Sequence, residues 1–116
     1  MSKESVGNPI KCVRRVGTDN VVDVAGDIDL NCSHPFQQAL LTLLDENPRR
    51  LIVNLAGVAY MDSSGVASLV KVLSRARKSG CTLYLVALQE RVRSVFEITR
   101  LDDVFSIRKT EQEALA

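Results

Sequence analysis

Apolar residues fall into short blocks, and within the blocks their spacing changes from the two-residue period of strands to the 3.6-residue period of helices. Ile10 to Val16 and Val21 to Ala25 flank the turn-forming residues Gly17, Thr18, Asp19 and Asn20, which predicts a β-hairpin with a four-residue loop. A helix follows: Ser33 is placed to cap it, Pro35 sits in its first turn, and Phe36, Leu40, Leu43 and Leu44 recur at helical spacing until Asn47-Pro48. Leu51 to Leu55 reads as a strand covered on both faces, with Ala56 to Asp62 as its outgoing loop.

The best helix comes next. Val66, Leu69, Val70, Leu73 and Ala76 make an apolar stripe, Lys71, Ser74, Arg75, Arg77 and Lys78 take the other side, and Gly80 is placed to end it. Cys81 to Leu88 is apolar on both alternating faces, so this stretch reads as a βαβ unit. Val92, Val95 and Phe96 predict a short helix, and Val104 to Ile107 a last strand. Thr110 and Glu113 form a capping box for a final helix. The predicted order is ββαβαβαβα, with residues 1–9 as a flexible lead and residues 10–116 as one domain.

Composition narrows the function. A 116-residue chain with 46% apolar residues can bury one core. Fifteen basic against fourteen acidic side chains leave no field to hold a polyanion, so neither nucleic acid nor membrane is expected as a partner. The longest apolar run, Leu83 to Leu88, is far short of the ~20 residues of a membrane span, and no signal-peptide pattern precedes it; a cytoplasmic protein is expected. Cys12, Cys32 and Cys81 lack metal or disulfide spacing and read as small buried or half-buried hydrophobes.

The chemistry concentrates in Tyr60-Met61-Asp62-Ser63-Ser64-Gly65-Val66, where the outgoing loop of a buried strand meets the start of the best helix. Two hydroxyls, a carboxylate and a glycine at the positive end of a helix dipole suit hydroxyl presentation or anion capture. The plainer alternative is that Ser63 or Ser64 caps the helix while Asp62 complements its dipole. A nucleophile elbow needs glycine two positions before the serine, where Met61 or Asp62 stands. His34 is the only histidine and belongs to a first helical turn, and no P-loop, GxGxxG or metal-spaced cluster occurs. No catalytic residue, resident cofactor or metal is therefore expected, and the chain does not read as an enzyme.

Asn54-Leu55 followed by Tyr60 to Val66 resembles the phosphorylation-site segment of anti-sigma factor antagonists of the STAS group. Gly26-Asp27-Ile28-Asp29 is similar to that family's segment after the second strand, and Val92 to Phe96, with Leu101 and Phe105, to its late helix and last strand. Val66 and Ala67 depart from the leucine and glycine common there. The resemblance implies an α/β fold of the STAS type, a mixed, mainly parallel sheet with about four helices packed against it. It also implies a phosphorylation-controlled partner switch. The unmodified protein would bind an anti-sigma factor that is a serine kinase of the GHKL type and release its sigma factor. Phosphorylation at Ser63 would turn it off, and a PP2C-type serine phosphatase would reset it. Asp27, Asp29, Asp62, Ser64, Gly65 and Val66 would belong to the partner surface, and ATP and magnesium to the kinase. The same device could act on a non-sigma target; a STAS-like module holding a small anion at the helix start is the other reading.

Overall fold

The computed structural model describes residues 9–116, so the expected lead falls outside the described residues except for Pro9, which is buried and accepts a hydrogen bond from Ala25 N–H at 3.0 Å. The strands are β1 (Ile10–Val16), β2 (Asp19–Ile28), β3 (Arg50–Met61), β4 (Thr82–Val86) and β5 (Ser106–Arg108). The helices are α1 (Ser33–Leu44), α2 (Ser63–Ser79), α3 (Glu90–Ile98) and α4 (Glu111–Leu115), with a 3-10 turn over Leu101–Asp103. They follow the expected order.

One five-stranded sheet runs β1-β2-β3-β4-β5, with β1 antiparallel to β2 and every other pair parallel. Alternation along the strands sends Val22, Val53 and Leu85 into the main core, where Phe36, Leu40, Leu69, Val72, Val92 and Phe96 of α1, α2 and α3 meet them. Val21, Ile52 and Val86 point to the opposite face and pack with Ala114 of α4 in a smaller cluster. Both faces are thus apolar in the middle of the sheet, which is why β3 and β4 read as continuous apolar runs.

Several local expectations are corrected by tertiary contacts. The hairpin loop is two residues, Gly17 (φ 63°) and Thr18; Asp19 and Asn20 lie in β2, paired with Val16 and Arg15 of β1. Ser33 does not cap α1: it is the first helical residue, buried, and Cys32 stands at the cap with no side-chain bond. The N–H groups of Cys32 and Ser33 are instead satisfied by the Asp29 carbonyl. β3 does not end at Leu55 but continues to Met61, because β2 continues beside it through Ala25↔Gly57, Asp27↔Tyr60 and Ile28↔Met61. Gly26 to Ile28 consequently belong to β2 and not to a segment after it.

On α2, Val70 is 41% exposed, and Val72 takes its place in the buried stripe. The last strand starts two residues late because the 3-10 turn occupies the approach and leaves Val104 exposed. Cys32 and Cys81 are buried as expected, whereas Cys12 is exposed because β1 is an edge strand. Gly80 (φ 78°) ends α2 in the left-handed region that a glycine enters at least cost. Among the described residues no helix is long and apolar enough to cross a membrane.

Candidate functional site

The site is built where the parallel strands β2 and β3 end side by side. Ile28 pairs with Met61, and the Asp62 N–H donates to the Ile28 carbonyl at 3.1 Å, so the chain leaves both strands at one rim. Asp62 then has extended backbone (φ −96°, ψ −174°) and α2 begins at Ser63. That backbone break is what a helix cap requires.

Asp62 itself is the cap. Its Oδ1 accepts from the Ser64 N–H at 2.9 Å, the Gly65 N–H at 3.3 Å and the Ser64 hydroxyl at 2.5 Å. The hydroxyl bond is the largest cause holding the Asp62 carboxyl below its ordinary pKa, helped by the backbone bonds from Gly65, Ser64 and Leu30 and opposed by desolvation. Through Leu30 the same carboxylate ties the loop after β2 to the start of α2. Ser64 is spent on this cap as a donor.

Ser63 is left over. It is exposed at the first position of α2, and its hydroxyl has no hydrogen-bond partner among the described residues. The capping alternative for Ser63 therefore fails on geometry: the carboxylate outcompetes both hydroxyls for the N–H groups because a charged acceptor makes the stronger bond.

Gly65 and Val66 are buried and face inward. A Cβ on Gly65 would stand 2.7 Å from Met61 Cγ, 2.8 Å from Ile28 Cγ2 and 3.2 Å from the Ile28 carbonyl oxygen. The glycine is what lets α2 start against the ends of β2 and β3. Asp27 is exposed and Asp29 half-buried on the loop side of the same rim; Asp29 Oδ1 accepts from Asn31 N–H at 3.0 Å. Asp27, Asp29 and Asp62 are thus brought to one rim, but no group of three or more possible ligands among the described residues could hold a metal ion.

Leu30 was not singled out from the sequence, and Tyr60 was read only as the start of the segment that carries the chemistry. Leu30 is 77% exposed and Tyr60 42% exposed, one on each strand exit, and Val70 lies about two turns beyond Ser63 on α2. Leu30 could have been found: an apolar residue between Asp29 and Asn31 in a polar loop has no strand or helix face to follow into the core. Ser68 was also missed; its buried hydroxyl donates to the Ser33 carbonyl at 3.1 Å and fixes α2 against α1.

This arrangement presents a hydroxyl. Anion capture fits less well, since the Ser64 and Gly65 N–H groups already serve Asp62 and two further carboxylates stand on the rim. The STAS domain family profile matches residues 12–114. An anti-sigma-B factor antagonist of Staphylococcus epidermidis is 32% identical over 93 residues, covering 79% of this chain and 86% of that protein. Its counterpart in Staphylococcus aureus is 31% identical over the same length. Among solved structures, an anti-sigma factor antagonist from Mycobacterium paratuberculosis superposes with a TM-score of 0.79 at 24% identity, covering 91% of each chain. The Bacillus cell fate determinant SpoIIAA in its phosphorylated form superposes with a TM-score of 0.69 at 20% identity, covering 91% of this chain and 96% of that one. These likenesses agree with the α/β architecture expected from the sequence, a mixed sheet with four helices.

Proposed function

The chain belongs to the STAS-domain family of anti-sigma factor antagonists, and on that premise we propose that it is a partner switch controlled by phosphorylation of Ser63. As its relatives are, it is a regulatory protein and not an enzyme. The unmodified form binds an anti-sigma factor that is also a GHKL-type serine kinase, and so frees the sigma factor. The kinase brings the ATP and magnesium; a PP2C-type phosphatase restores the free serine. All of this takes place in the cytoplasm.

The observation that carries the reading is the Ser63 hydroxyl, exposed and unbonded at a helix start that Asp62 has already capped. Such a hydroxyl can accept a phosphoryl group without the fold losing a bond. Leu30, Tyr60 and Val70 supply apolar area around it for a docked protein to cover. A phosphate adds about −1.5 to −2 charges and three acceptor oxygens beside Asp62, Asp27 and Asp29. Desolvating that group among carboxylates disfavours the complex, while the free protein keeps it in water. Partner loss without unfolding is what a reversible switch needs.

Incubation with its cognate GHKL-type anti-sigma kinase, ATP and magnesium is expected to add one phosphate, which peptide mass spectrometry locates on Ser63. Phosphate on Ser64 or Thr110, or on no residue, would overturn the assignment.

A further inference from the structure

Among the described residues the second face of the sheet is closed by α4 alone, a five-residue helix far too short to be stable by itself. Ala114, 2% exposed, covers Val21, Ile52 and Val86. Two arginines and an asparagine hold it there. Arg14 Nη1 donates to Glu111 Oε1 at 3.1 Å and its Nη2 makes a shorter bond to Glu111 Oε2; Asn54 Nδ2 donates to the same Oε2 at 2.6 Å. At the other end of α4, Arg50 Nη1 donates to the Leu115 carbonyl at 2.6 Å.

Each arginine also faces a carboxylate on β2. Arg14 grips Asp23 with two bonds, Nε to Oδ2 at 2.9 Å and Nη2 to Oδ1 at 2.8 Å. Arg50 is held 3.7 Å from Asp19 Oδ2, too far for a good hydrogen bond, and the buried Asp19 Oδ1 has no partner among the described residues. A buried carboxylate oxygen without a donor is costly, and the guanidinium that could serve it is turned to α4.

We propose that α4 is a releasable strap over the second sheet face, with Asp19 and Asp23 as the fallback partners of the arginines that fasten it. When α4 lifts, Arg50 closes on Asp19 and supplies its missing donor, and Arg14 keeps Asp23. Neither cation is stranded, so opening costs only the small apolar contact of α4 and the bonds to Glu111 and Leu115. The uncovered strip of Val21, Ile52 and Val86 lies on a different face from the core beneath α1, α2 and α3.

The test uses the full chain with Cys12→Ser, which removes the exposed thiol, and Ala114→Cys as a reporter under α4. Cys32 and Cys81, buried in the main core, report larger openings of the same molecule. Reaction with a thiol reagent, followed by peptide mass spectrometry, should modify position 114 at least tenfold faster than Cys32 or Cys81, at a rate independent of low urea. Asp23→Asn should slow reaction at 114 by about two- to fivefold, the range that a partly exposed ion pair commands, and Asp19→Asn should slow it as well, because the open state loses its fallback. A purely structural role for these carboxylates predicts the reverse, faster reaction. Backbone amide exchange of residues 111–116 in the unsubstituted chain guards against an artefact of Ala114→Cys and should likewise outpace α2. Equal rates at position 114, Cys32 and Cys81, amide exchange of residues 111–116 no faster than that of α2, or acceleration by both Asp→Asn changes, would overturn the proposal.

Discussion

Gly65→Ala tests whether the site depends on how closely α2 approaches the strand ends. The added methyl has two opposing effects. Alanine is worth about 1 kcal/mol more than glycine inside a helix, and less in a first turn. Against that, the methyl would stand 2.7 Å from Met61 Cγ and 2.8 Å from Ile28 Cγ2, where real Cβ atoms are essentially never found, and 3.2 Å from the Ile28 carbonyl oxygen. Neither carbon is the free end of a long side chain, and the carbonyl is the acceptor of the Asp62 N–H, so relief requires α2 to back away from β2. Overpacking of this kind costs about 1–3 kcal/mol, so it outweighs the helix gain and leaves a net loss of about 1–2 kcal/mol. Thermal unfolding followed by circular dichroism should register a Tm lower by roughly 3–12 °C. The displacement also moves Ser63, so phosphorylation should slow by more than the folded fraction falls. A Gly65→Ala protein as stable as its parent would refute the close-approach argument.

The capping assignment predicts that Asp62→Ala costs about 0.5–2 kcal/mol in urea unfolding while Ser63→Ala costs almost nothing, since only the former removes a bond to α2. Because the folded state holds the Asp62 carboxyl below its ordinary pKa, its stabilisation is complete above the ordinary carboxylate range and is lost as pH falls through the lower folded value; Asp62→Asn should flatten that part of the stability profile. Glu111, lowered chiefly by Arg14, leaves its own acid limb in both proteins, so the difference between them isolates Asp62. Ser63→Asp should weaken binding to the kinase, though less than phosphate does, and Asp62→Asn should recover part of the loss with a coupling of about 0.5–3 kcal/mol in a calorimetric double-mutant cycle; additivity within error would remove charge repulsion as the mechanism.

The element order was legible because each element carries its own periodicity: Phe36, Leu40 and Leu44 can only share a helix face, and Leu51 to Leu55 can only be covered on both sides. What escaped the sequence was decided by partners distant along the chain. Asp19 and Asn20 look like turn residues, yet pairing with Val16 and Arg15 of β1, and of Asn20 with Leu51 of β3, makes them strand residues. Ala56 to Met61 looks like a loop, yet β2 extends beside it and makes it strand. The site was legible as a segment but not as a division of roles. Asp62, Ser63 and Ser64 are all good capping residues by type, and only the backbone of Asp62 chooses among them. The same limit applies to Val70 and Val72, apolar residues on either side of Lys71 of which the packing of α2 buries one.

That choice of cap determines what modification of Ser63 can do. Had Ser63 capped α2, a phosphate there would have competed for the helix N–H groups, been partly neutralised by the dipole, and changed the fold and the surface together. With Asp62 on the Ser64 and Gly65 N–H groups and Ser64 donating its hydroxyl to the same carboxylate, those donors are already engaged. Added charge at Ser63 therefore stays on the surface, where water solvates it in the free protein and a docked partner cannot. Asp62 contributes twice, by freeing the Ser63 hydroxyl and by standing as the negative neighbour against which a phosphate is felt. On the proposed switch, stability and switching are carried by neighbouring residues: Asp62 and Gly65 hold the helix start in place, and a charge added at Ser63 would disturb neither.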